Sequence, residues 1–254
     1  MKNIIVLGSG RSGTSLVTGI ITRSTSKYFL GPELIAENYR NPKGNFESNV
    51  INHINEDILE LIQKRHRPNN IFGRLFFSSV PATPQRWLSR IPVSTELIEK
   101  ESITTKIKEL GKNVPFCYKD PRFSYTFPYW EKYLPNFCVI CVFRDPAKTI
   151  SSIKKELNYA PHLKGLSLSN KQLFSVWELM YRNILDHFNK SEKDWFFIEY
   201  DQMFDEIYLN KMGTFLDIEL NINFADKKFD RSSSSLNVPS NCVSLFNKLR
   251  HMTN

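Results

Sequence analysis

The sequence predicts an α/β fold of three layers, with helices on both faces of a central parallel sheet. Short apolar runs such as Ile4–Leu7 and Phe137–Phe143 are typical of buried strands. The segments between them carry apolar residues at helical spacing. Strands that alternate with helices favour a parallel sheet covered on both sides. Because the chain shows no internal repeat and no linker rich in glycine and serine, we expect residues 1–254 to form one domain.

The elements are predicted in a simple alternating order. A strand at 4–7 leads into a Gly-rich loop, and a helix begins at Thr14. Residues 67–94 are rich in proline and are expected to form an irregular insertion or a lid. Residues 230–254 lack a strong period and are expected to form a mobile tail. Further strands are expected at 28–30, 114–119, 137–143 and 195–199, and further helices at 51–64, 95–110, 146–157 and 170–189.

The charge balance describes a basic chain that attracts anions. Its 34 Lys and Arg residues against 26 Asp and Glu give a net charge of +8. Such a surface suits a nucleotide, an acidic glycan, an acidic lipid or nucleic acid. The basic residues are dispersed and form no continuous run, so no nucleic-acid partner is expected.

Membrane and secreted classes are disfavoured by the apolar pattern. No apolar run approaches the roughly 20 residues that cross a bilayer, so no transmembrane segment is expected. Near Met1 only four consecutive apolar positions, Ile4–Leu7, are present, too few for a cleaved signal peptide. We therefore expect a soluble, cytoplasmic protein.

Cysteine and histidine usage predicts neither a disulfide framework nor a metal site. Four cysteines are too few for such a framework in a chain of this length. Cys138 and Cys141 have C-x-x-C spacing, but positions three apart on a strand face opposite sides of the sheet. The five histidines show no paired ligand spacing.

The loop Gly8–Gly13 is a candidate phosphate cradle, because it joins a buried strand to the start of a helix. It satisfies G-x-G-x-x-G, the fingerprint of dinucleotide-binding oxidoreductases. It also has the G-x-x-x-x-G spacing of a Walker loop, but Thr14 stands where a kinase or NTPase has lysine, and the basic residue is Arg11.

A second anion site is predicted at the end of the strand Phe137–Phe143. Arg144 follows this strand, at a position where a magnesium enzyme would place a carboxylate. A cation there suits a phosphate instead, and the hydroxyl of Ser152 lies eight residues further on, in the following helix. Ligands of such sheets bind beyond the carboxyl ends of the strands. We therefore expect three segments to share one rim: Gly8–Ser15, Tyr118–Arg122 and Arg144–Ser152.

Several motifs together resemble sulfotransferases that use 3′-phosphoadenosine 5′-phosphosulfate (PAPS). Gly8-Ser-Gly-Arg-Ser-Gly-Thr-Ser-Leu16 resembles their 5′-phosphosulfate loop, closest to the tyrosylprotein and bacterial versions. Arg144 and Ser152 match the family's 3′-phosphate pair in spacing. The resemblance implies a P-loop NTPase-like sulfotransferase fold. Weaker similarities lie in Tyr118-Lys-Asp-Pro-Arg122, Asn41-Pro-Lys-Gly-Asn-Phe-Glu47 and Ile198-Glu-Tyr-Asp-Gln-Met203.

The resemblance also implies a role for individual residues. Arg144 and Ser152 are expected to bind the 3′-phosphate, Lys119 to contact the transferred group, and Tyr200 to lie near the nucleotide. For the base that takes the acceptor proton, Glu33 fits the family position after the first helix, and Glu47 is the second candidate. The 5′ sulfo-phosphate is assigned to Gly10, Arg11, Ser12, Gly13, Thr14 and Ser15.

The function predicted from the sequence is in-line, metal-independent sulfuryl transfer from PAPS to an acceptor hydroxyl, with an amine as second choice. The acceptor is left open among a glycan, a lipid and a small molecule, and the oligomeric state is not determined. The alternatives are a nucleotide kinase or NTPase with a degenerate loop, a dinucleotide-binding oxidoreductase, and an inactive PAPS-binding module.

Overall fold

The computed structural model describes residues 1–36, 44–65, 81–225 and 234–253. Its centre is a parallel sheet of four strands in the order β2-β1-β3-β4. The predicted parallel sheet is therefore confirmed. The strands are β1 (Asn3–Leu7), β2 (Cys117–Lys119), β3 (Phe137–Phe143) and β4 (Trp195–Glu199).

The strand predicted at 28–30 is reduced to a single bridge. Phe29 pairs with Phe116, its N–H donating to the carbonyl of Pro115 at 2.9 Å. The strand expected at 114–119 is correspondingly short, since proline has no N–H to donate to a ladder.

The described residues form eight α-helices, five of which match predicted ones. Four short 3₁₀ turns lie at 86–88, 161–163, 200–204 and 222–224. The α-helices are α1 (Thr14–Ser24), α2 (Asn49–Arg65), α3 (Glu101–Leu110), α4 (Phe123–Tyr133), α5 (Pro146–Tyr159), α6 (Asn170–Lys190), α7 (Glu206–Leu216) and α8 (Ser240–Arg250).

Three of these helices, α4, α7 and α8, were not predicted. Helix α4 contains Pro128, which masks its helical pattern. Helix α8 lies in the segment expected to be a mobile tail, yet it buries Cys242, Leu245, Phe246 and Leu249. That spacing of i, i+3, i+4 and i+7 is readable from the sequence, so the helix could have been found.

Two apolar clusters cover the two faces of the sheet and complete the three layers. One contains Ile4 and Val6 of β1 with α1 and α7, and the other contains Ile5 and Leu7 with the six remaining helices. Cys138 and Cys141 lie in different clusters, as the strand pattern predicted. All four cysteines are free and buried.

The carboxyl ends of the strands meet at one rim. Val6 pairs with Lys119, Leu7 pairs with Cys141, and Phe143 pairs with Glu199. The segments that follow these strands therefore start side by side, which confirms the shared rim. None of the helices in the described ranges is long and apolar enough to span a membrane.

The sequence predicts an irregular insertion or a lid at residues 67–94. Residues 67–80 lie outside the described part of the chain. Residues 81–94 contain one 3₁₀ turn, Arg86–Leu88, whose three side chains are buried. Helix α2 and the rim hold this turn in place through contacts described below.

Candidate active site

The anion loop, residues 8–13, is pressed against the end of β3. Gly8 and Gly13 adopt φ angles of 147° and 103°. A Cβ atom on Gly8 would lie 2.2 Å from the carbonyl oxygen of Val142, and one on Gly13 would lie 2.5 Å from Cδ2 of Tyr200. Both positions therefore require glycine. The loop backbone lies close to its neighbours, as expected for a loop that binds a phosphate through its N–H groups.

Ser12 stabilises the loop from inside. Its hydroxyl donates to the carbonyl of Ser9 at 2.7 Å and lies 3.2 Å from that of Val142. Its N–H also donates to the carbonyl of Ser9, at 3.2 Å. The Tyr181 hydroxyl donates to Val142 O at 2.8 Å, which ties helix α6 to the same point. Sequence reasoning missed Tyr181, since nothing near position 181 marks it.

Helix α1 directs its N-terminus into the rim. Gly13 is its N-cap, and no described side chain caps the helix there. The first amides and the positive end of the helix dipole therefore face the space above the loop, where an anion is stabilised. Thr14 is buried in this first turn, whereas Ser15 is half-buried.

Arg11 connects the two predicted anion sites. It is exposed at the tip of the loop, and its Nε donates to the Ser152 hydroxyl on helix α5 at 3.0 Å. The structure thus brings together the residues predicted for the 5′ and 3′ ends of one ligand.

Arg144 lies at the tip of β3 with only 7% of its surface exposed. Its guanidinium carbon lies 3.7 Å from the centroid of the Tyr200 ring. This cation–π contact fixes the plane of the guanidinium group. The adjacent Asp145 caps helix α5 by accepting the N–H of Lys148 at 2.9 Å.

Lys119 lies at the end of β2, 2% exposed. Its ammonium forms an ion pair with Glu47 and donates to the hydroxyl of Ser15 at 3.1 Å. Glu47 also accepts from Asn52 Nδ2 at 3.1 Å. Burial alone would raise the pKa of Glu47, but the charges of Lys119 and Arg122 and the hydrogen bonds hold it below its usual range.

Glu33 is the other predicted base, and it is arranged differently. Its side chain is exposed, its φ angle is 53°, and it makes no side-chain hydrogen bond or ion pair with the rest of the described chain. Its carbonyl accepts the N–H of Asn49 at 3.0 Å, and the neighbouring Ile35 N–H donates to the carbonyl of Glu47 at 2.8 Å. The two glutamates are therefore on paired segments, with Glu33 exposed and the side chain of Glu47 only 19% exposed.

A buried charge network beneath the rim was not found from the sequence. Glu56, 2% exposed, accepts from Arg122 Nε at 2.6 Å and from Arg86 Nη1 at 3.1 Å. Arg122 also pairs with Asp120 at 3.1 Å. Burial raises the pKa of Asp120, against the opposing charge of Arg122. Asp120 and Arg122 are singled out by the sequence, as part of the Lys-Asp-Pro-Arg motif. Glu56 and Arg86 are not identified by it.

This network positions an aromatic side chain beside the loop. Arg86 precedes Trp87, and a Cβ atom on Gly10 would lie 2.4 Å from Cζ3 of the Trp87 ring. Trp87 therefore packs against the anion loop, a contact that the sequence analysis did not predict. Within the described ranges, no group of three His, Cys, Asp or Glu side chains is placed to hold a metal ion.

Residues 3–221 match the model of the sulfotransferase family. The chain belongs to the sulfotransferase family. This membership supports sulfotransfer over the kinase and oxidoreductase alternatives, because the matched range includes the loop, Lys119, Arg144 and Ser152.

Solved structures show that the fold is that of sulfotransferases. The chain is similar to the sulfotransferase domain from the curacin biosynthetic pathway, with a TM-score of 0.56, 14% identity, and coverage of 100% of this chain and 99% of that domain. It is also similar to the sulfotransferase domain of the Synechococcus PCC 7002 olefin synthase, with a TM-score of 0.53, 14% identity, and coverage of 98% and 96%. The P-loop-like sulfotransferase fold is thereby confirmed. No curated protein sequence matches the chain significantly.

Proposed function

We propose that the protein transfers the sulfuryl group of PAPS to an acceptor hydroxyl. The observation that carries this proposal is the contact of Arg11 with Ser152, which joins the anion loop to the helix that follows Arg144. Two cationic groups at the ends of adjacent parallel strands, beside the N-terminus of α1, suit a nucleotide that carries anionic groups at both its 5′ and 3′ positions.

The binding roles divide between two places on the rim. The amides at the start of α1, with Arg11 and Ser15, take the 5′ sulfo-phosphate, and Arg144 with Ser152 takes the 3′-phosphate. Gly10, Ser12, Gly13 and Thr14 shape the cradle. Tyr200 holds the Arg144 guanidinium in plane and borders the nucleotide.

Lys119 and the cations of the loop stabilise the developing charge. As the acceptor oxygen bonds to sulfur, the bond from sulfur to the phosphate oxygen breaks, and negative charge grows on the departing phosphate. Lys119 Nζ already lies 3.1 Å from Ser15 Oγ, at the start of the anion-binding helix. Preorganised donors of this kind lower the barrier by about 3 kcal/mol each.

Glu33 is the proposed base that removes the acceptor proton. An exposed carboxylate without a competing partner in the described chain can meet an acceptor hydroxyl directly. Both carboxylate oxygens of Glu47 are engaged, by Lys119 and Asn52, and its lowered pKa makes it a weaker base. We therefore assign Glu47 to holding Lys119 in place.

Nucleotide binding tests the proposed donor. Calorimetry should show that the protein binds adenosine 3′,5′-bisphosphate about tenfold or more tightly than adenosine 5′-monophosphate, because only the former offers a 3′-phosphate. Arg144→Ala should remove this preference, whereas Arg182→Ala, on the exposed face of α6, should keep it. Equal affinities in the wild type would refute the assignment.

Turnover tests the acceptor class and separates an enzyme from a binding module. Radiolabelled PAPS should label an acceptor in a panel of sugars, lipids and tyrosine compounds. Tight nucleotide binding with no labelled product across these classes would favour the inactive module. A cytoplasmic location and the absence of a nucleic-acid partner remain predictions from the sequence.

A further inference from the structure

Helix α8 is joined to the rim by an ion pair. Arg250, near the C-terminal end of the helix, donates from Nε and Nη2 to the two carboxylate oxygens of Glu199, both at 2.8 Å. Glu199 is the last residue of β4, and its side chain is 8% exposed. Such a two-point contact orients both groups more strictly than a single hydrogen bond.

Glu199 also organises the turn that follows it. The Glu199 carboxylate and the Gln202 side chain form a reciprocal capping box at the start of the 3₁₀ turn Tyr200–Phe204. The Glu199 N–H donates to Gln202 Oε1 at 2.9 Å. Tyr200, the first residue of this turn, presents its ring to Arg144 on one side and to Gly13 on another.

The strand register places Glu199 and Arg144 at the same rim but on different sides of the sheet. Phe143 pairs with Glu199, so the Glu199 side chain lies on the face of Phe143 and helix α8. Arg144 stacks on Tyr200, whose ring belongs to the apolar cluster of α1 and α7. The path from Arg250 to the 3′-phosphate site therefore runs through the turn Tyr200–Phe204.

We propose that Arg250 is a positioning residue for the 3′-phosphate site. By pairing with Glu199 it fixes the turn that carries Tyr200 and, through the Tyr200 ring, the plane of the Arg144 guanidinium. The C-terminal helix thereby contributes to the choice of a 3′-phosphorylated nucleotide without touching it. This inference rests on the proposed use of PAPS.

The test compares two nucleotides in single and double variants. Arg250→Gln should bind adenosine 3′,5′-bisphosphate about fivefold more weakly, a modest loss because the arginine side chain is 53% exposed. Its affinity for adenosine 5′-monophosphate should change less than about twofold, since that nucleotide does not reach Arg144. Lys248→Gln, an exposed change on the same helix, should leave both affinities unchanged.

The double variant tests whether Arg250 and Glu199 act as one unit on the turn. Because each residue acts through the other, Arg250→Gln/Glu199→Gln should bind adenosine 3′,5′-bisphosphate within about twofold of Arg250→Gln alone. Two residues that acted independently would show losses that multiply.

The outcomes separate this inference from the proposed function. If Arg144→Ala abolishes the preference while Arg250→Gln keeps it, Arg250 has no part in the site. Equal weakening of both nucleotides, or losses that multiply in the double variant, also overturns the inference. If the wild type itself shows no preference, the proposed donor and this inference fail together. If Arg250→Gln does not fold, Arg250→Lys replaces it in the test. Lysine can pair with Glu199 through one contact only, so the inference predicts a preference for the 3′-phosphate between those of the wild type and Arg144→Ala. A preference equal to that of the wild type would contradict the inference.

Discussion

The ammonium of Lys119 is held between the carboxylate of Glu47 and the hydroxyl of Ser15, at the carboxyl end of β2. The lysine is almost fully buried, and a buried ammonium is stable only with a paired charge or several hydrogen bonds. Glu47 therefore pairs with the buried ammonium of Lys119 and aims it at the start of α1. The same contact is the basis for the different tasks that we propose for the two glutamates on paired segments.

The stability contributed by Glu47 should depend on pH. Its folded-state pKa is lower than in the unfolded chain, so its contribution is complete above about pH 4.3 and is lost as the pH falls through the folded value. At pH 7, Glu47→Gln should lower the free energy of unfolding by about 1–3 kcal/mol. Urea titrations between pH 7 and pH 3 measure the difference, which should shrink in acid. A difference that does not vary with pH would contradict the assignment.

Glu99→Gln is the matched control for that measurement. Glu99 also pairs with a lysine, Lys132, but both side chains are more than half exposed. Solvent screens such pairs, so this variant should unfold like the wild type at every pH.

Replacement of the two glutamates should separate base from positioning residue. Glu33→Gln should lower kcat about 100-fold and leave adenosine 3′,5′-bisphosphate affinity intact. Glu47→Gln should lower kcat by a smaller factor, because Lys119 loses its partner while the base remains. Steady-state rates at pH 7 measure both effects, and the reverse order would make Glu47 the base.

The anion loop should not tolerate a side chain at Gly13. Alanine there combines a φ angle of 103° with a contact 2.5 Å from the Tyr200 ring. Gly13→Ala should cost about 2–4 kcal/mol of stability and weaken nucleotide binding. Thermal unfolding and calorimetry measure the two effects.

Gly165→Ala isolates the backbone part of this effect. Gly165 has a φ angle of 85°, but a Cβ atom there meets nothing within 4 Å. Its substitution should cost only about 1 kcal/mol and leave nucleotide binding unchanged. Equal losses in the two variants would show that contact with Tyr200 is unimportant.

The network beneath the rim should be sensitive to loss of its central carboxylate. Glu56→Gln leaves the buried Arg86 and Arg122 with one negative charge fewer, and should cost about 3 kcal/mol in urea unfolding. The adjacent Asp57 pairs with Lys106 at 3.9 Å on the surface, so Asp57→Asn should cost no more than about 0.5 kcal/mol. Similar midpoints for both variants would argue against a buried network.

The sequence by itself determined the layers of the fold and the local parts of the site. Apolar runs defined β1, β3 and β4, since a strand buried on both faces is a continuous apolar segment. The glycines of the loop and the cation after β3 are also local, because each lies within a few residues of its strand. The parallel order of those strands then implied that Arg11, Lys119 and Arg144 share a rim.

Only the tertiary structure decided which charges are paired. Arg122 meets Glu56 across 66 positions of the chain, and Arg250 meets Glu199 across 51. No local spacing marks such partners, because each pairing depends on how distant helices pack against the sheet. The same reason applies to Glu33 and Glu47, which look alike as sequence but differ in burial. The separate roles proposed for them depend on where the folded chain places Lys119.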